Sequence, residues 1–278
     1  MKKYYFGSRK RQNYFESWYF KHVFGNETVI FIPGICYTEE KQEAYIRVII
    51  NNESTYIPYS LDQFYAKEDE LFIQIGGNIF TKRGCRICIH KNGLSLDGVI
   101  RYGRLNGIRY NAMGPISLIP FNQCSYSVIS MDHALYGVLQ NNDHMYSLNE
   151  GRGFIAAGHG KKLPNNYIWT QCNNFKRPFT SIIVSVADVD LKNVMFEGVI
   201  AIVWYKGREY RFATYLGAKL HACTKNKIVI TQNDMILKVY FKDKKVHYFF
   251  AVNSHALINE KTVKAVTTSK MDANHFLP

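Results

Sequence analysis

Along this chain, apolar and polar residues alternate over short runs, and Gly, Asn, Asp and Lys punctuate the runs. Residues 28–37 and 44–50 read as a strand pair, with 39–42 between them. Residues 71–75 and 79–80 flank Gly76-Gly77-Asn78, where a Gly-Gly turn supplies the positive φ a hairpin needs. Residues 85–90 and 94–100 flank Lys91-Asn92-Gly93, and Asn-Gly is the strongest short hairpin signal. Residues 125–139 alternate over a long run that stops at Asn141-Asn142-Asp143. Further runs cover 180–189, 194–205, 209–220, 227–231, 235–241 and 246–252, joined by Lys206-Gly207-Arg208, Lys225-Asn226 and Lys242-Asp243-Lys244. No window holds a helical period beyond a few turns. The pattern predicts about 15 or more strands, hence an all-β chain of antiparallel barrels or sandwiches. Residues 253–278 are the most polar and helix-tolerant part of the chain.

Two stretches depart from plain alternation. Residues 150–175 open with Gly151-Arg152-Gly153, pass through Ala156-Ala157-Gly158-His159-Gly160, and enter a strand carrying Trp169, Gln171 and Asn173. Alternation puts those three on one face, an apolar ring beside two neutral amides, which suits a ligand-pocket wall. A Gly-rich hairpin leading into an ordinary strand would show the same residues. In residues 14–21, Glu16, Trp18 and Phe20 share a face. A carboxylate among rings is costly to bury unless hydrogen-bonded, so Glu16 belongs at a mouth or in a polar network.

A chain of 278 residues is comfortable for two modules of roughly 130–150 residues each. Aromatics make 15% of the chain, which strengthens the β reading because such side chains fit a pleated, half-buried surface. The formal charge of +13 raises the question of an anionic partner, but the basic residues are spread along the chain. They read mostly as solvated outer faces, with peripheral contact to an anionic membrane surface as the partner to consider and nucleic acid disfavoured. The start, Lys2-Lys3-Tyr4-Tyr5-Phe6, lacks a signal peptide's apolar core, and no run is long enough to span a bilayer. A cytoplasmic location is the expectation, with six thiols kept reduced. Cys85-Arg86-Ile87-Cys88 has CxxC spacing, but a strand would point the two thiols to opposite faces, so no metal site is expected from it.

No P-loop, GxGxxG, GxSxG or HExxH motif is present. The most suggestive acid–base pair is Asp132-His133, although strand neighbours face opposite ways and would not touch.

Four blocks resemble the tocopherol cyclase family. They are Tyr14-Phe15-Glu16-Ser17-Trp18-Tyr19-Phe20-Lys21; Gly114-Pro115-Ile116-Ser117-Leu118-Ile119-Pro120-Phe121 followed by Ser130-Met131-Asp132-His133; residues 150–175; and Tyr210-Arg211-Phe212-Ala213-Thr214-Tyr215-Leu216-Gly217-Ala218-Lys219. The resemblance implies two lipocalin-like barrels packed together, residues 1–140 and 141–278. It also implies a prenylated quinol as substrate: an alkene is protonated and a phenol oxygen captures the tertiary cation, with no redox cofactor or metal. Such chemistry needs a dry site, aromatic faces for the cation and a carboxylic acid still protonated at neutral pH. The candidate catalytic residues are Asp132, Glu16 and His159, with Glu150 a further carboxylate. The candidate substrate-binding residues are Trp18, His133, Trp169, Gln171, Asn173, Arg211 and Tyr215. Where the family carries Glu-Lys-Asp-Trp, this chain has Ala156-Ala157-Gly158-His159. That difference motivates an alternative, a non-catalytic binder of small hydrophobic molecules.

Overall fold

In a computed structural model, the described residues are 3–10, 12–118, 124–142, 144–191, 194–242, 245–262 and 265–269. Among them there is no α-helix, and no helix long and apolar enough to cross a membrane. The chain divides into two units, one drawn from Met1–Ile108 and Gln123–Leu163, the other from Arg109–Asn122 and Pro164–Leu277.

The first unit is one antiparallel sheet. Its strands are β1 (Tyr14–Phe24), β2 (Glu27–Tyr37), β3 (Gln42–Ile50), β4 (Glu53–Tyr59), β5 (Phe64–Ala66), β6 (Phe72–Ile75), β7 (Asn78–Thr81), β8 (Gly84–Lys91), β9 (Leu94–Tyr102), β10 (Cys124–Asn141), β11 (His144–Ser147) and β12 (Arg152–Gly160). The spatial order is β4-β3-β2-β1-β12-β10-β9-β8-β7-β6-β5, with β11 on β10. Thus β12 slots between β1 and β10. Trp18, Phe31, Ile46, Ile57, Ile73, Phe80, Ile87, Leu96, Leu135 and Ile155 meet in a single core, so the sheet curls around its own inner face. Burying each such side chain stabilises the fold by about 1.5–3 kcal/mol. The expected tight turns are present: Gly76 has φ +56°, and Asn92 and Gly93 have φ +53° and +76°.

The polar opening of the chain is tied down. The Tyr4 amide donates to the Glu68 carbonyl at 2.7 Å, and a short 3-10 turn, Gly7–Arg9, leads into β1.

The second unit has two five-stranded antiparallel sheets over one core. The first is β16-β15-β14-β13-β22, built from β13 (Tyr167–Cys172), β14 (Ser181–Leu191), β15 (Val194–Tyr205), β16 (Arg208–Ala213) and β22 (Val266–Ser269). The other runs β17 (Lys219–Thr224), β18 (Lys227–Gln232), β19 (Met235–Lys242), β20 (Lys245–Val252) and β21 (His255–Thr262) in sequence order. Val184, Val203 and Phe212 of one sheet pack with Ile230, Leu237, Tyr248 and Phe250 of the other.

Two readings of the pattern need correction. Residues 209–220 are not one strand: a 3-10 turn, Thr214–Leu216, interrupts them and closes on Gly217 at φ +84°. Residues 253–278 are not helix-prone where described, since β21 and β22 lie there. Asn253 and Ser254 both take positive φ, +47° and +64°, and turn the chain back onto β20. The Ile119-Pro120-Phe121 part of the second block, Asp143, Asp243-Lys244 and residues 270–278 lie outside the described residues.

Candidate functional site

On β1 the even positions face the first unit's core, so Glu16 projects inward between Tyr14 and Trp18. It is only 1% exposed. Its carboxylate accepts from the Tyr14 hydroxyl at 2.7 Å and from the Phe6 amide at 3.0 and 3.1 Å. Across the sheet, Glu16 pairs with His159, whose ring stacks on Phe6 at 4.1 Å between centroids. The Trp18 indole donates to the Tyr4 carbonyl at 3.1 Å and lies near Tyr5 and Phe64. The expectation that a carboxylate here needs a polar network is met by Tyr14 and by the backbone of the opening segment.

This setting decides protonation. Burial lifts the Glu16 carboxyl to about 7, although the Tyr14 hydroxyl, the Phe6 and Gly7 amides and the Lys3 charge pull the other way. Glu16 therefore exchanges its proton in the neutral range rather than near pH 4. His159 goes the opposite way: burial, then the Lys10 and Lys3 charges, push it down to about 4. It is neutral at pH 7 and has no proton of its charged form to give.

A second polar group spans β1, β12 and β10. His22, Gly153 and His133 lie in one row across these three strands. The His22 Nδ1–H donates to the Val29 carbonyl at 3.2 Å, which leaves Nε2 to accept from the Tyr102 hydroxyl at 2.7 Å. That hydroxyl also meets Cys85 Sγ at 2.8 Å. The His133 ring lies 4.5 Å from the Tyr102 ring, with Nδ1 3.0 Å from Ser130 Oγ. Its Nε2 points at Gly153, where a Cβ would sit 2.1 Å away. Only glycine fits there. Burial pushes His22 down to about 4, and burial, with the neighbouring His22 ring and the Arg152 charge, holds His133 well below the usual histidine range. Both rings are neutral at pH 7.

Asp132 takes other partners, as opposite strand faces require. Arg152 grips both carboxylate oxygens, with Nε at 2.8 Å from Oδ1. Asp132 is fully buried, so Arg152 supplies the counter-charge. Glu150 sits exposed in a turn at φ +64°.

In the second unit, Trp169, Gln171 and Asn173 are buried on the side opposite that unit's core. Between them, Cys172 enters the core and Thr170 Oγ1 meets the core Tyr248 hydroxyl at 2.7 Å. Gln171 pairs with Ile183 and Trp169 with Ser185, so the same face continues to Ser181. The Asn173 amide and the Thr180 and Ser181 hydroxyls have no hydrogen-bond partner among the described residues.

Arg211 is spent within the same unit. It donates to the Tyr110 carbonyl at 2.9 Å, the Asn111 carbonyl at 2.7 Å, Glu209 and the Tyr215 hydroxyl. Tyr215 donates in turn to the Ala112 carbonyl at 3.3 Å. Arg211 and Tyr215 thus clasp the segment around 110–112.

The candidate residues fall into two sets, one per unit. Glu16, Trp18 and His159 come together in the first; Asp132 and His133 lie elsewhere on the same sheet and diverge. Tyr14, Phe6, His22, Tyr102, Arg152 and Gly153 were given no site role by the sequence. Their roles come from strand register, and only the Gly-Arg-Gly at 151–153 hinted at them.

No family model matches the chain, and no curated protein matches its sequence. Solved structures do match. Kievitone hydratase from Nectria haematococca superposes with a TM-score of 0.56 at 11% identity, covering 96% of this chain and 92% of that one. A Nitrosomonas europaea protein assigned as an AttH superposes with a TM-score of 0.52 at 9% identity, covering 91% of this chain and 92% of its own. The all-β fold derived above is thus one this chain shares, over nearly its whole length, with a hydratase and an AttH protein.

Proposed function

We propose that this protein binds an apolar, prenyl-bearing small molecule and protonates its alkene, with Glu16 as the donor. One observation carries the reading: Glu16 is a buried carboxyl among aromatic rings, balanced near neutral pH between its acid and its anion. The acid form gives its proton to the less substituted alkene carbon and leaves a tertiary cation. The faces of Trp18, Tyr14 and Phe6 offer that cation negative π density. A phenol oxygen of the same substrate closes the ring, and its proton returns to the Glu16 carboxylate. Kievitone hydratase carries in its name an addition of water, which a protonated alkene also permits.

The test is incubation of the purified protein with a prenylated quinol, with chromanol read by mass spectrometry. Glu16→Gln should lower turnover by about 10²–10⁴-fold, the usual contribution of a positioned acid. The wild-type rate should fall as pH rises through about 7, where Glu16 loses its proton. Turnover that survives Glu16→Gln sinks the assignment.

The Ala156-Ala157-Gly158-His159 segment favours a second reading, binding without turnover, because it offers no acid. Prenyl lipids would then quench Trp18 in a Trp169→Phe, Trp204→Phe background and yield no product.

A further inference from the structure

The β8–β9 hairpin turns its odd and even positions to different fates. Cys85, Ile87 and Ile89 point into the first unit's core with Leu96 and Ile100. Cys88 and His90, two residues apart, share the outward face. Directly opposite on β9 stand Asp97, paired with Cys88, and Ser95, paired with His90. The ligating atoms of Cys88, His90 and Asp97 lie within 4.8 Å of one another.

Three details make this more than a chance cluster. His90 Nε2 lies 3.0 Å from Asp97 Oδ2, while Nδ1 lies 3.0 Å from Ser95 Oγ. Without an ion, Nε2–H donates to Asp97; with one, Nδ1–H donates to Ser95 Oγ and Nε2 offers its lone pair to the metal, the arrangement by which a neighbouring oxygen orients a metal-bound histidine. The Cys88 amide donates to Asn78 Oδ1 at 2.9 Å, and Asn78 is itself buried and bonded to the Ile75 carbonyl. The strand under the thiol is therefore held. Cys88 is also the exposed thiol among the chain's cysteines.

We propose that Cys88, His90 and Asp97 form a binding site for a divalent cation of the zinc class. A thiolate, an imidazole and a carboxylate suit such an ion, whereas magnesium and calcium demand oxygen ligands. Bond lengths of about 2.0–2.3 Å put tetrahedral ligand atoms about 3.5 Å apart, so side-chain rotation of about an ångström closes the set. The fourth position stays open to solvent. Binding displaces the Cys88 thiol proton to solvent as sulfur becomes a ligand. The site does not rest on Glu16 and stands or falls separately from it.

The full-length, reduced chain, stripped with chelator, is titrated with cobalt(II) alone and then zinc(II). One equivalent of cobalt should produce a thiolate-to-cobalt absorption band with tetrahedral visible bands, and zinc should remove them. Zinc should also slow alkylation of Cys88, read on its own peptide, by about tenfold or more. Cys88→Ser should abolish the sulfur band, and His90→Gln should weaken cobalt binding by a similar factor. Both side chains are exposed, so unchanged thermal unfolding shows that each variant is folded. The proposal is overturned if no sulfur band forms, if the band survives Cys88→Ser, or if zinc leaves Cys88 alkylation untouched.

Discussion

Strands β1, β12 and β10 hold two buried carboxylates in contrasting surroundings. Glu16 has neutral donors and aromatic rings around it, while Asp132 has a guanidinium. Both are cut off from water, yet only one meets a full opposite charge. Burial alone raises a carboxyl toward neutrality and makes it a proton donor. Burial beside a bidentate arginine gives the other a partner of opposite charge, and the pair ties β10 to β12. Glu16 has a proton to give at neutral pH, the state that acid chemistry needs.

Breaking the ion pair should show the larger effect. Arg152→Met leaves Asp132 buried without a counter-charge and should cost about 3–5 kcal/mol in chemical denaturation. A loss near that of an exposed pair would mean that Arg152 matters little and the contrast is false.

Titration sharpens the other side. Glu16 has a folded value near 7 against an ordinary 4.5, so the native state holds its proton more tightly than the unfolded chain. Its contribution is fully present below about pH 4.5, shrinks as pH rises toward about 7, and is then flat. The loss is about 3 kcal/mol. His22, His133 and His159 work in the opposite sense, since their depressed values make stability fall as pH drops below about 6.5. Unfolding free energy measured against pH for wild type and Glu16→Gln should therefore diverge between about pH 4.5 and 7, with the slope difference assigned to Glu16. Parallel curves would show that Glu16 is an ordinary carboxylate.

The smallest effect concerns the polar row beside Asp132. Gly153→Ala drives a methyl into the His133 ring and should cost about 1–3 kcal/mol. In a His133→Ala background the same change should cost far less, as read in a double-mutant cycle.

Much of this was legible in the sequence, and strand alternation explains why. It placed Trp169, Gln171 and Asn173 on one face, sent Cys85 and Cys88 to opposite faces, and kept Asp132 from touching His133. The two-residue turns announced themselves through Gly and Asn. What alternation cannot give is register between distant strands. The bond from the Phe6 amide to Glu16, the grip of Arg152 on Asp132 and the His22–Gly153–His133 row all depend on which residue stands opposite which. Strand β21 escaped notice because the polar run Asn259-Glu260-Lys261 separates the buried Ile258 and Thr262 and masks the inward face. The break at 214–216 escaped because Thr214-Tyr215-Leu216 has strand-like chemistry and only Gly217 marks the turn.

The placement of β12 between β1 and β10 also governs how the chain can be made. One edge of β1 finds β2 almost at once, but its other edge must wait until residues 152–160 have been synthesised. At ribosomal speeds of about 5–20 residues per second, that interval is on the order of ten seconds. Throughout it, a long aromatic strand carries bare backbone donors and acceptors, the template on which wrong partners assemble. The nascent protein depends on whatever keeps that edge solitary until Arg152–Gly160 arrives.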